Sequence, residues 1–167
     1  VKEETKFWRD LKSGKFASMV KESSKGKQIN NPEDVFNVMK PLFAAEDDVE
    51  TIYCIFLDTK NRIIATKKMF SGTIDRSSIY PREIIKRVIA LKAAAVILVH
   101  QHPSGDPSPS KEDEAITGKL WVALKSMQVT LHDHIIVGKG YYSFGDEGFF
   151  ESLDNEFRQF LRTRKIK

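Results

Sequence analysis

The sequence predicts an α/β fold in which one mixed β-sheet is flanked by helices. Three observations carry this reading. Two uninterrupted apolar runs, Ile52-Tyr-Cys-Ile-Phe-Leu57 and Ala95-Val-Ile-Leu-Val99, have the composition of strands covered on both faces. Segments of helical period alternate with the strands in the order α-α-β-β-α-β-α-β-β-α, without internal repeat. The length of 167 residues, with 41% hydrophobic residues and eleven Phe, suits a single apolar core.

Composition narrows the classes further. No apolar run approaches the ~20 residues of a membrane span. With no signal-peptide pattern at its start, the chain is expected to be soluble, cytoplasmic and without a membrane partner. A single cysteine, Cys54, rules out an internal disulfide and reads as a buried small hydrophobe. The net charge of +4 is mild, but Arg158, Arg162, Arg164, Lys165 and Lys167 crowd the C-terminus, and lysines are dense between Lys2 and Lys27. Such runs ordinarily form solvated surface; a nucleic-acid partner held by the basic termini is the alternative.

Taken in order, residues 4 to 22 read as an amphipathic helix carrying Phe7, Trp8 and Leu11, with Gly14 as its weak point. These apolar residues could pack on the core or mediate homo-oligomer formation. Asn31 as N-cap and Pro32 at the first helical position open a second helix, with Val35, Val38, Met39, Leu42 and Phe43 as its stripe; Pro41 should kink or shorten it. Glu50 to Leu57 is a central strand, turned at Asp58–Asn61 into a second strand near Arg62 to Thr66. Ser71 to Tyr80 reads as loop. Pro81 starts a helix with Ile84, Ile85, Val88 and Ile89 inward and Arg82, Lys86, Arg87 and Lys92 outward. Val129 to Val137 and Tyr141 to Phe144 are strands about a Gly138-Lys-Gly140 turn. Phe149, Phe150, Leu153, Phe157, Phe160 and Leu161 fit a closing helix. The divisions expected are an N-terminal helical extension (1–45), the sheet domain (46–146) and a C-terminal helix with basic tail (147–167).

The chemistry gathers in AVILVHQHPSGDPSPSKEDEAITGKL, residues 95 to 120. The Ala95 strand delivers His100 and His102 at i,i+2, on one face. Pro103, Gly105, Pro107 and Pro109 then make a short, stiff loop, and Ser110 caps a helix whose Asp113, Ile116, Leu120 and Leu124 share the apolar stripe. Two histidines and an inward carboxylate form a three-ligand set for zinc, with a fourth position open to water. Ser110-Lys-Glu-Asp113 also satisfies much of a helix-capping box, and the two readings are compatible.

This stretch, His100-Gln-His102-Pro-Ser-Gly-Asp-Pro-Ser-Pro-Ser110-Lys-Glu-Asp113, closely resembles the signature of the JAMM (JAB/MPN) zinc hydrolases in their RadC branch. Gln101 stands where RadC proteins more often carry Asn. The resemblance, from about Glu50 to Phe144, implies a JAB/MPN-like, cytidine-deaminase-like sheet with the N-terminal helices as an addition. It implies one zinc per chain on His100, His102 and Asp113, and hydrolysis of a peptide or isopeptide bond in a protein or peptide substrate. Glu50 stands where the RadC pattern places its active-site glutamate, so it is the candidate base; the plain alternative is a solvated glutamate in the acidic cluster Glu46, Asp47, Asp48, Glu50. Ser110 is the candidate oxyanion donor. His132 and His134 repeat the H-x-H spacing, but a second metal is discounted because no nearby carboxylate shares their face and the family has one zinc; Asp133 and His134 are expected to hydrogen-bond within the sheet or support the site. Two rival classes stand beside the hydrolase: a DNA-repair-associated accessory protein, and a zinc-stabilised interaction module without turnover.

Overall fold

The computed structural model describes residues 13–44, 48–72 and 80–166, together with Lys6 and Arg9. Its elements are α1 (Lys15–Ser24), α2 (Pro32–Phe43), β1 (Thr51–Leu57), β2 (Ile63–Ser71), α3 (Pro81–Leu91), β3 (Ala95–Gln101), α4 (Lys111–Ser126), β4 (Thr130–Val137), β5 (Tyr141–Ser143) and α5 (Phe149–Thr163). The five strands lie in the order β2-β1-β3-β4-β5. β3 runs antiparallel to β1 and parallel to β4, so the sheet is mixed.

β1 and β3 are buried along their whole length because they are covered on both sides. Tyr53, Ile55, Leu57, Ile97 and Val99 face one layer, where Val35, Met39, Leu42 and Phe43 of α2 meet them and Ala17 and Val20 of α1 pack at the margin. Ile52, Cys54, Phe56, Val96 and Leu98 face the other, under Ile84 and Val88 of α3 and Leu120, Trp121 and Leu124 of α4. α5 covers this second layer with Phe150, Leu153 and Phe157, the last set edge-on to Trp121. Cys54 is fully buried, and burial pushes its thiol far above the ordinary range, so it stays un-ionised.

Several expectations are corrected. The first helix is not continuous over 4–22: Gly14 takes a left-handed φ of 76°, and α1 starts after it. Phe7, Trp8 and Leu11 lie outside the described residues, as do Glu46, Asp47, Lys167 and the 73–79 part of the expected loop. Pro41 does not end α2, which runs on to Phe43. β2 extends to Ser71, five residues past its expected end, because pairing with β1 holds a polar strand edge that side-chain alternation alone does not reveal. On α3, Ile89 is 63% exposed, and the half-buried Arg87 caps the Glu83 carbonyl instead. Phe160 on α5 is likewise exposed.

The sheet carries one irregularity close to the end of β3. Between β3 and β4 the register shifts, Val96 pairing with Leu131 but Ile97 with Asp133. His132 is the additional residue of a β-bulge, and a bulge reverses the alternation beyond it. Leu131 and His134, three residues apart, therefore face the α4 layer together.

Candidate metal centre

The centre lies at the C-terminal end of β3. His100, the penultimate residue of the strand, is 1% exposed and points toward α4. His102 follows the strand end and is held by one further ladder bond, its N–H donating to the Val137 carbonyl at 2.8 Å. The 102–107 loop then crosses over the β4–β5 turn. Lys139 N–H donates to the Gly105 carbonyl at 2.8 Å, and a Cβ on Gly138 would stand 2.4 Å from that same carbonyl oxygen. Only glycine allows this approach.

α4 brings Asp113. Ser110 is its N-cap, and the box is complete: Ser110 Oγ accepts from Asp113 N–H at 3.1 Å, while Ser110 N–H donates to Asp113 Oδ2 at 2.8 Å. The Ser110 hydroxyl also donates to Oδ2, at 2.7 Å. The carboxylate is 2% exposed and meets both predicted partners: His100 Nδ1 at 2.9 Å from Oδ1 and His102 Nε2 at 3.6 Å from Oδ2. Burial opposes its charge, but hydrogen bonds from His100 and Ser110, with the His102 ring close by, outweigh that and hold it far below the usual carboxylate range.

The hydrogen bonds set the tautomers. A carboxylate and a carbonyl only accept, so His100 donates Nδ1–H to Asp113, and His102 donates Nδ1–H to the Asp106 carbonyl at 2.9 Å. In each neutral ring Nε2 then carries the lone pair. His100 Nε2 is buried without a hydrogen-bond partner among the described residues and stands 3.8 Å from Glu50 Oε1, whose side chain is 34% exposed. Burial works against charge on His102, but Asp113, the Asp106 carbonyl and Glu50 prevail and raise its pKa.

The donor set suits a divalent ion of the zinc type, since two imidazole nitrogens and a carboxylate are its ordinary ligands. Ligands about 2 Å from a tetrahedral ion stand roughly 3.3 Å apart by geometry, close to the separations around Asp113. Among the described residues, donor atoms lie within 4.8 Å of one another in two sets of three, Glu50–His100–His102 and His100–Asp113–His134. The expected trio of His100, His102 and Asp113 is thus spread over two overlapping sets joined by His100. Asp113 belongs to the inner one because the helix cap and His100 turn it that way.

His134 is the residue that sequence reasoning misplaced. The bulge carries it to the face of Asp113, 1% exposed, while His132 turns to donate Nε2–H to Asn61 at 2.8 Å. Its ring stacks on Phe144 and lies 6.1 Å from that of His100. Burial pushes its pKa down to about 3, helped by the neighbouring imidazoles His100 and His102. Asp133, the preceding residue, faces the opposite layer and accepts from Ser143 and the Gly145 N–H. The parity signal that would have placed His134 is the position of the bulge, which no alternation pattern shows.

Beside His102 a cleft of about 380 Å³ opens between α2 and the 102–107 loop, bordered by Phe36, Phe43, Pro103, Val137 and Lys139. Among the described residues no helix is long and apolar enough to cross a membrane.

The chain is similar to several known proteins. A UPF0758 protein of Thioalkalivibrio sulfidiphilus is 39% identical over 125 residues, covering 75% of this chain and 56% of that protein. One from Methanosarcina mazei is 42% identical over 124 residues, covering 74% and 54%. One from Vibrio cholerae is 45% identical over 100 residues, covering 60% and 63%. The chain thus spans about half the length of the first two of these curated relatives. The family model for the RadC-like JAB domain matches residues 29–149, and with strand order, helix layers and the His-loop-helix site already in place, this chain belongs to the RadC-like JAB domain family.

Proposed function

We propose that the chain is a cytoplasmic zinc-dependent hydrolase that cleaves a peptide or isopeptide bond, with His100, His102 and Asp113 holding one ion and Glu50 as the base. The observation that carries this reading is the buried Nε2 of His100 turned toward the one-third-exposed carboxylate of Glu50 at 3.8 Å. A nitrogen lone pair, a carboxylate and access from solvent meet at one point. When bound, zinc supplies a Lewis acid and brings the pKa of a coordinated water to roughly 7.

The chain's own groups do the rest. Glu50 takes the proton of the attacking water and passes it to the leaving amine, a transfer its exposure on the solvent side permits. The Asp106 carbonyl keeps His102 in the tautomer that directs its Nε2 lone pair inward. The Ser110 backbone N–H holds Asp113, while its hydroxyl, released from Oδ2, is the donor for a developing oxyanion. The apolar cleft beside His102 offers an adjoining segment of a protein or peptide substrate a place to lie.

The nucleic-acid reading rests on Arg162, Arg164 and Lys165, all exposed at the end of α5; Arg158 already pairs with Asp154 at 2.6 Å. Metal analysis of the purified protein, paired with a peptide-library cleavage assay with and without chelator, tests the main proposal. The expected result is about one zinc per chain and cleavage that stops on chelation. A protein that holds no divalent metal overturns the proposal, and zinc without turnover leaves the interaction module in its place.

A further inference from the structure

We propose that the ion has a second, closed station in this chain, built from His100, Asp113 and His134 on the buried side of the centre. The inference rests on the metal-binding part of the reading above and is independent of hydrolysis.

Thr117 is a fully buried residue one turn along α4 from Asp113. Its hydroxyl donates to the Asp113 carbonyl at 2.6 Å, which uses its single hydrogen. The same oxygen lies 2.6 Å from His134 Nδ1, so in that contact it can only accept. His134 is therefore the Nδ1–H tautomer, and its Nε2 carries a lone pair. That nitrogen is buried and has no hydrogen-bond partner among the described residues. Leaving such a buried acceptor unsatisfied is unfavourable. A ring nitrogen of His134 stands within 4.8 Å of donor atoms of both His100 and Asp113.

A tautomer fixed by a hydrogen bond at one nitrogen, a free pair at the other and a neighbouring carboxylate are how proteins present a histidine to a metal. Two nitrogens and an oxygen suit a first-row divalent ion such as zinc or cobalt, while magnesium and calcium prefer all-oxygen surroundings. The two stations share His100 and Asp113, so they are alternatives for one ion. The outer station, completed by His102 and facing the part-exposed Glu50, meets solvent. The inner one is walled by residues no more than 2% exposed, away from any substrate. An ion held there is stored and out of contact with substrate.

The probe is cobalt(II) added to the metal-free full chain, with His102→Ala removing the outer station and His134→Gln the inner donor. Gln retains an N–H for Thr117 but lacks the imidazole pair. The expected result is that the His102→Ala protein still takes up one cobalt per chain. Its proton spectrum should show a hyperfine-shifted exchangeable signal from His134 Nδ1–H. In the double variant that signal should vanish, and affinity should fall beyond the roughly 10–100-fold expected for loss of a merely supporting group. An empty His102→Ala protein overturns the proposal, as does one whose His134 resonances, followed by histidine ¹⁵N labelling, are not those of a metal-bound ring. The labelling reads His134 without relying on the double variant to fold. A wild-type chain that binds no cobalt or zinc instead refutes the metal reading as a whole.

Discussion

Glu50 and Asp113 are both carboxylates within reach of His100, yet their surroundings give them opposite tasks. Asp113 is buried and surrounded by donors, so it is held as an anion and cannot trade protons near neutrality. Glu50 keeps a third of its surface in solvent beside His100 Nε2. Glu50→Gln should thus retain about one zinc per chain and near-normal stability while cleavage is nearly abolished. Metal content and turnover measured on one preparation check this: unchanged turnover removes the base, and lost zinc makes Glu50 a ligand, with Asp113 left as the orienter of His100. Ser110 also has two tasks that one spacing made legible, since N-cap and N3 carboxylate are the same i,i+3 pair. Ser110→Asp keeps a capping oxygen but places a second carboxylate against Asp113 and removes the hydroxyl donor. Turnover should drop on the order of a hundredfold, with the helix retained by circular dichroism; full activity would remove Ser110 from the chemistry.

At the scale of elements, β3 and the start of α4 were legible because their signals are local. An apolar run, a proline-rich loop and a capping box each act within a few residues. What depended on pairing was not legible: the length of β2 comes from β1, and the orientation of His134 from a bulge against β3. The break at Gly14 was visible as a weak point, but only its positive φ shows the helix starting afresh. The crossing of the 102–107 loop over Gly138 also depends on tertiary contact, and it makes a prediction. Gly138→Ala would drive a methyl group into the Gly105 backbone, displacing the segment that presents the Asp106 carbonyl to His102. Zinc affinity, read by competition with a chelating dye, should fall by about 10–100-fold while the thermal unfolding of the metal-free protein changes little. Equal affinity would show that the loop holds His102 without this contact.

At the scale of the whole molecule, one sheet separates two apolar layers, and the centre sits on the side of α4 where β3 ends. The basic end of α5 lies in a different part of the chain, so the two proposals can be tested apart. If nucleic acid binds there, retention should weaken steeply with added salt, and removal of residues 162–167 should abolish it without altering zinc content. No retention at low salt would leave Arg162, Arg164 and Lys165 as solvated surface. The extra residue at His132 has a wider consequence. A relative lacking it would show a gap in alignment yet keep the same imidazole beneath His100, because the strand beyond the bulge stays in register with β3. A relative of equal length whose fourth strand ran flat would instead bring the residue equivalent to Asp133 to that face. The nitrogen-rich donor set would become oxygen-rich, and if an ion is held there its preference would move from zinc-like ions toward magnesium-like ones. If the proposed station binds metal, its ion selectivity can drift through strand register with no change in the amino acids themselves.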